Sequence, residues 1–459
     1  MSSKLRKPNV SAQIKKENPY ERFRFFRNPF PKSPGVTIGS HDPRENGSIY
    51  CPELVTEEEK QFVKLLIPKP SKPDANVIAF LMDYATRRGR GIGKTAFLNY
   101  IKNKIMEDFG EKLSEGEHVI FAVYVYPVPG ANYNHSWKIA RLIIEKLVEQ
   151  NIITEAICRL KAFTGLIPDN VLNEAGDDLT ETLGNDGWLQ EKGIKTFDLN
   201  HTIKSILKKL DIDSELAEVL AFGGSGAPGL SNYFSRLTDA FWRKNGNRIL
   251  FSDFIKLFRE AGFTKGIILF DELEKIFPPL NRKERRIFVE AIRYYFIDGD
   301  LDNARSFFFG VLFTIHPSLQ ELMVPHWEAA GLDRFAPIGG DSANNHTVYF
   351  RPILDRFAIP LAKAYLQRSR IEDPGLVGTS ELFPFDEAAL QEALKISNHV
   401  PGFYLSFLHT VIEKAVEEKL DKITVETVKK TANTENPVEP EIEEEIEPLP
   451  IPQKNLKEE

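Results

Sequence analysis

The feature that most constrains this chain is a glycine-rich turn set between a short apolar run and the start of a helix. Val77-Ile78-Ala79-Phe80-Leu81-Met82 is continuous, apolar and bounded by polar residues, the pattern of a buried strand. Arg88-Gly89-Arg90-Gly91-Ile92-Gly93-Lys94-Thr95 follows, and Ala96–Ile101 opens a helix. A turn of this composition lets backbone N–H groups converge on phosphate oxygens that side chains would keep at a distance. The helix N-terminus behind it adds partial positive charge. In that setting Lys94 reaches the β- and γ-phosphates of a nucleotide, and the Thr95 hydroxyl joins the shell of a magnesium ion. Gly89, Arg90, Gly91, Ile92, Gly93, Lys94, Thr95 and Ala96 are the expected phosphate-loop contacts. The strict pattern has a glycine where this chain has Arg88, so the loop is slightly degenerate.

A second element makes the nucleotide expectation specific. Ile267-Ile268-Leu269-Phe270 is an apolar strand ending in Asp271-Glu272. A carboxylate at the C-terminal edge of such a strand can hold magnesium through its waters, because that ion keeps several of them. Asp271, with Thr95, is the expected metal pair, and the adjacent Glu272 is placed to polarise an attacking water. The expected ligands are ATP and magnesium.

Between and beyond these motifs, strands and helices alternate. His118–Tyr126 reads as a buried strand, and Trp137–Gln150 as a helix with Ile139, Leu142, Ile143 and Leu147 on one face. Helices are expected over Phe251–Ala261, Lys283–Phe296 and Ser318–Met323, with strands over Gly266–Phe270, Phe307–Thr314 and His346–Phe350. The alternation predicts an α/β fold, a parallel sheet sandwiched by helices. From Ile353 to Thr431 the pattern is helical throughout, which marks an all-helical C-terminal domain. The expected layout is an N-terminal arm and linker (1–75), a core (76–352) with a helical insertion (151–250), a helical domain (353–432) and an acidic tail (433–459). Within the insertion, helical patterns stand at Leu199–Leu210 and Ser214–Phe222. Glu174–Asp186 reads as an acidic loop, and Gly223–Gly229 as a connector without a lysine to serve a second phosphate site.

With 459 residues, two or three folded units are expected. The net charge of −7 conceals an asymmetry: residues 1–27 hold eight Lys/Arg against two Glu, and residues 435–459 hold nine Glu against two Lys. A Pro- and Glu-rich tail of that kind buries too little surface to fold. Cys51 and Cys158 offer neither a metal spacing nor a disulfide framework. No apolar run is long enough for a bilayer, and Met1-Ser-Ser-Lys-Leu-Arg-Lys lacks the apolar core of a signal peptide. A cytoplasmic protein without membrane contact is expected.

These motifs together resemble the AAA+ superfamily of P-loop ATPases, over roughly residues 25–430. The resemblance implies ATP hydrolysis, nucleotide-dependent self-association into a ring or filament, and a helical lid formed by the C-terminal domain. Phe309-Gly-Val-Leu-Phe-Thr314 is similar to the family's sensor-1 strand, with Thr314 at the matching position and His316 as a substitute. Gly331-Leu332-Asp333-Arg334-Phe335 resembles the arginine-finger segment, which would send Arg334 to the γ-phosphate of a neighbouring subunit. Asn398–Leu405 falls where a sensor-2 arginine is expected and contains none; Pro401-Gly402 reads equally as a helix start. Phe25-Phe26-Arg27-Asn28-Pro29-Phe30 is similar to the opening of ExeA-like and transposition-regulator ATPases, relatives of the origin-recognition and helicase-loader clade. A similar layout also occurs in ATPase components of prokaryotic defence systems.

Two functions follow as expectations. In one, the ATPase assembles on nucleotide and remodels or recruits a DNA-associated partner, DNA contact coming from the basic arm and from Arg282-Lys283-Glu284-Arg285-Arg286. In the other, it is a nucleotide-dependent switch that gates a separately encoded effector protein without touching DNA. The long spacing between the motifs and the helical lid argue against a metabolic kinase.

Overall fold

The computed structural model of the chain describes residues 18–36, 40–66, 77–83, 91–106, 119–128, 131–176, 179–223, 227–298, 307–338, 345–371 and 380–434. Two compact units emerge, one built from residues 55–351 and one in which residues before 55 join those from 352 onward.

The first unit is organised by a five-stranded parallel sheet in the order β2-β3-β4-β1-β5, with β1 Val77–Asp83, β2 Val119–Val125, β3 Phe263–Phe270, β4 Phe308–Ile315 and β5 Thr347–Phe350. These strands are near-continuous apolar runs because a parallel sheet is covered on both faces. Around them lie α1 (Thr56–Leu66), α2 (Lys94–Lys104), α3 (Ser136–Glu149) and α4 (Ile152–Phe163). Shorter helices follow: α5 (Asp169–Ala175), α6 (Leu179–Thr182) and α7 (Asp186–Glu191). The chain continues through α8 (Thr196–Lys209), α9 (Ser214–Gly223), α10 (Ala227–Arg236), α11 (Asp239–Arg248) and α12 (Phe254–Glu260). After β3 come α13 (Leu273–Ile276), α14 (Arg282–Arg293) and, beyond β4, α15 (Pro317–Ala329).

The strand order sorts these helices between the two faces. The step from β1 to β2 runs toward one sheet edge, whereas the steps β2–β3, β3–β4 and β4–β5 all run back toward the other. Right-handed crossovers therefore put α2 on one face and the later helices on the opposite one. The packing agrees. Phe62 of α1 meets Phe97 of α2, and Phe97 meets Phe350 of β5. On the other face Trp327 of α15 packs edge-on against Phe80 and Phe313. Phe80 and the β5-paired Asp83 are three residues apart on β1, so they point to opposite faces. Asp83 thus faces the side from which α2 approaches.

The insertion is more ordered than the sequence suggests. The acidic stretch Glu174–Asp186, expected as a loop, contains α6 and the ends of α5 and α7, residues 177–178 lying outside the described residues. Glu174 and Glu181 are exposed on short helices, and the apolar residues Val171, Ala175, Leu183 and Leu189 of this stretch and its flanks cluster with Cys158 and Leu199. Lys161 is fully buried beneath them and donates to the Leu183 carbonyl at 2.9 Å. Of the Gly-rich connector, Gly223 ends α9 and Ala227–Gly229 begin α10, while residues 224–226 lie outside the described residues. The expected helices over Phe251–Ala261 and Lys283–Phe296 each include a π turn, Ile249–Asp253 and Tyr294–Asp298. Phe251 and Tyr295 of these turns stack at 4.3 Å.

The second unit contains α16 (Ala358–Arg368), α17 (Glu387–Ile396), α18 (Pro401–Glu417) and α19 (Val425–Thr434). Residues 18–54, expected to belong with the arm and linker, are instead part of its core: Phe23, Phe25, Phe30 and Ile49 are buried with Leu361, Tyr404 and Leu408. The reason is the aromatic content of this irregular stretch, which supplies apolar surface without helical or strand periodicity. Its basic residues are engaged as well: Arg22 pairs with Asp421 at 2.8 Å and Arg27 with Asp42 at 3.2 Å. The Asn398–Leu405 segment turns into a helix start. Asn398 and His399 have left-handed backbone, and Pro401 is the first residue of α18, where its missing N–H costs nothing. The acidic tail lies outside the described residues.

Candidate nucleotide and metal site

The C-terminal ends of four neighbouring strands carry the polar residues of the sheet. Asp83 closes β1, Tyr124 stands near the end of β2, Asp271 follows β3, and Thr314 stands near the end of β4. In open parallel sheets ligands bind outside this edge, where successive connections diverge. Here the connection leaving β1 departs toward one sheet edge, and that leaving its neighbour β4 crosses β1 to reach β5.

The start of α2 meets the end of β1 through Lys94 and Asp83. Gly91 and Gly93 have φ of 84° and 104°, backbone that other residues adopt only with strain. Gly93 is the N-cap of α2, so the chain enters the helix without a side chain at the turn. Arg88, Gly89 and Arg90 lie outside the described residues. Ile92 is buried, and Ala96 follows Thr95 in the first turn of α2.

Lys94 is turned inward. Its ammonium lies 2.6 Å from both carboxylate oxygens of Asp83, and both residues are buried. Burial pushes the Asp83 carboxyl up from its ordinary range, and the neighbouring lysine charge pulls it back down.

Asp271 gathers hydroxyls from two strands and a helix. Thr95 Oγ1 donates to its Oδ2 at 2.7 Å, and Tyr124 Oη to the same oxygen at 2.5 Å. Thr314 Oγ1 donates to Oδ1 at 2.6 Å, and the Glu272 N–H reaches Oδ1 at 2.9 Å. Thr314 Oγ1 also accepts from the Glu272 N–H at 3.0 Å. An ionised carboxylate has about four acceptor positions, and these donors fill them. Tyr124 is held in turn by Gln150, whose side-chain amide accepts from the Tyr124 N–H at 3.1 Å and donates to its carbonyl at 2.6 Å. Burial, reinforced by the negative Asp271, raises the Tyr124 phenol well above its ordinary range, so it remains a donor.

Glu272 is half-buried, with left-handed backbone at φ 54°, the kind of local strain that clusters at functional sites. Its carboxylate pairs with Lys275 at 2.5 Å. His316 does not share the position of Thr314: its ring nitrogen caps α15 by accepting from the Ser318 N–H at 3.2 Å. Arg334 lies in the turn after α15, exposed, with no hydrogen bond or ion pair to a described residue. Thr95, Asp271, Thr314 and the Glu272 backbone are therefore drawn together, Lys94 stands beside them on Asp83, and Arg334 is joined to none of them.

The hydroxyl of Thr95 and the carboxylate of Asp271 fit a magnesium ion, as adjacent hard oxygens at the mouth of a glycine turn. Among the described residues no group of three or more His, Cys, Asp and Glu could hold a metal by itself. Asp83 and Tyr124 were not singled out by the sequence. The available signal was a polar residue closing an otherwise apolar strand.

No protein-family model matches this chain, and no curated protein matches it. It is similar to the solved structure of the Aeropyrum pernix ORC2 protein in ADPNP-ADP complexes, at 10% identity and a TM-score of 0.40, over 89% of this chain and 71% of that one.

Proposed function

We propose that the chain is a cytoplasmic AAA+-type ATPase that binds ATP with magnesium, hydrolyses it, and uses the cycle to assemble and to remodel or recruit a partner. The observation that carries this reading is the pairing of Thr95 with Asp271 at 2.7 Å, directly after the glycine turn and Lys94. In this reading Gly89 to Ala96 cradle the phosphates, and Lys94 leaves Asp83 for the β- and γ-phosphates. Thr95 and Asp271 would hold magnesium, which supplies charge neutralisation on the phosphates. Glu272 exchanges Lys275 for the attacking water and takes its proton. Thr314 keeps Asp271 and the Glu272 backbone in register. The division into ATPase core, insertion and helical lid is part of the same reading, with 18–54 assigned to the lid. Self-association is supported by Arg334, exposed beside Phe335, which is 45% exposed. Isothermal titration with ATP and magnesium tests the reading: submillimolar binding is expected and is lost in Lys94→Ala. Absence of binding by the unmodified protein sinks it.

The partner's association with DNA is the preferred reading. In the basic cluster on α14, Arg282 and Lys283 are exposed, whereas Arg285 caps the Phe277 and Pro278 carbonyls and Arg286 pairs with Glu290. Half of the cluster thus serves its own structure, which favours a contribution to DNA contact from the partner. The alternative is a switch that gates an effector away from DNA. Retention on duplex DNA at rising salt, with and without ATP, separates the two, since phosphate contacts weaken steeply with salt.

A further inference from the structure

Every acceptor position of Asp271 is filled, and the four donors differ in how firmly they are held. Thr95 and Thr314 present their hydroxyls on a single rotatable bond from Cβ, so each can redirect its proton without moving its neighbours. The Glu272 N–H is part of the left-handed turn after β3. Tyr124 is different in kind. Its ring is 4% exposed, which fixes the hydroxyl oxygen at the far end of a rigid lever. Its backbone N–H and carbonyl are both taken by the Gln150 amide, on the side of β2 that no described strand covers. The next residue of β2, Val125, accepts the Asp271 N–H at 2.8 Å. One stretch of β2 therefore grips Asp271 twice, by its backbone through Val125 and by its carboxylate through Tyr124.

We infer that Tyr124 is the positioning residue for the metal carboxylate: its hydroxyl fixes the orientation of Asp271, so that a magnesium ion's water finds the oxygen already aimed. This inference rests on the functional reading above. A carboxylate left to rotate would lose that order before each binding event, and the partners behind metal-binding groups commonly set affinity in this way. Of the donors to Asp271, Thr95 and Thr314 would be able to turn a proton aside for a bound metal, while Tyr124 would keep its place.

Tyr124→Phe removes only the hydroxyl oxygen and keeps the ring in place. The test uses the full chain, manganese as a magnesium probe read by electron paramagnetic resonance, and a non-hydrolysable ATP analogue. Manganese affinity in the presence of the analogue is expected to fall about 10-fold in Tyr124→Phe. Affinity for the analogue in EDTA is expected to stay within about twofold, because no phosphate-contacting group is altered. The melting temperature is expected to drop by only about 2–4 °C, the loss of one buried hydrogen bond. Gln150→Leu, which keeps the hydroxyl but frees the strand behind it, should weaken manganese binding in the same direction and by less. Unchanged or tighter manganese binding in Tyr124→Phe overturns the inference while leaving the functional reading intact. A general loss of analogue affinity in EDTA overturns it too, since that marks a structural role. If the unmodified protein binds neither analogue nor manganese, the functional reading falls and the inference with it.

Discussion

Lys94 holds both oxygens of Asp83 at 2.6 Å, so the lysine expected to meet nucleotide phosphates is already neutralised by a buried carboxylate. Phosphate binding must therefore exchange one anion for another. Breaking a buried pair by removing one partner leaves a charge without compensation, at a cost of about 3–5 kcal/mol. Asp83→Asn should lower the melting temperature of the nucleotide-free protein. It should also enlarge the stabilisation by ATP and magnesium, because Lys94 no longer has a competing anion to leave. Thermal melts with and without ATP measure both. An ATP-induced shift smaller than that of the unmodified protein would show that Asp83 assists nucleotide binding.

Glu272 stands where a base for the attacking water is expected, and its carboxylate pairs with the exposed Lys275. Glu272→Gln keeps shape and hydrogen bonding but cannot take a proton. Phosphate release should fall at least ~10²-fold while ATP binding persists. Hydrolysis at the unmodified rate would remove the base assignment.

Thr314 bridges two groups, donating to Asp271 and accepting from the Glu272 N–H. Thr314→Val preserves volume and takes one donor from buried Asp271, a loss of about 1–3 kcal/mol, while the Glu272 N–H keeps its bond to Asp271. If those interactions persist in the transition state, the rate constant should drop by about 10-fold or more, with a smaller effect on ATP affinity. An ATP affinity that falls as far as the rate would place Thr314 in binding.

Arg334 has no described partner and is exposed beside Phe335. An arginine acting on a neighbouring subunit's γ-phosphate contributes on the order of 10³-fold or more to the rate. Arg334→Ala should bind ATP normally and hydrolyse it poorly. Mixing it with Lys94→Ala should restore part of the activity, because an intact phosphate loop in one copy can meet an intact Arg334 in another. Full activity of Arg334→Ala alone would end that assignment.

The sequence made the elements of the sheet legible because buried parallel strands are short, apolar and bounded, and each of the five was located within a few residues. Thr95 and Asp271 were legible for the same reason, since each sits at a fixed offset from such a strand. What escaped was whatever depends on strands far apart in sequence. Tyr124 reaches Asp271 across 147 residues, a separation that only the pairing of β2 with β3 closes. Asp83 reads in the sequence only as a polar residue closing a strand, because its partner Lys94 reaches it by folding back from α2. The helices of the acidic stretch were missed because their apolar stripes are only one or two turns long. Residues 18–54 were missed because aromatic burial in irregular chain has no period.

Stability should depend on pH through Asp253. Its carboxylate is 1% exposed in the π turn before α12, and burial raises its carboxyl from the ordinary 3.8 to about 6. Arg248 at 3.0 Å offsets part of that burial, and the nearby Asp211 and Asp213 add to it. A pKa raised on folding means that the folded state binds the proton more tightly than the unfolded chain. The stabilisation by protonation is therefore fully present below about pH 4 and is lost as pH rises through about 6. Asp253→Asn, neutral at every pH, should raise the melting temperature at pH 8 and change it least near pH 5, by roughly 2–4 °C for each kcal/mol relieved. The measurement is the difference in melting temperature between the two proteins across pH 5–8. A difference that does not grow toward alkaline pH would show that Arg248 already compensates the buried charge in full.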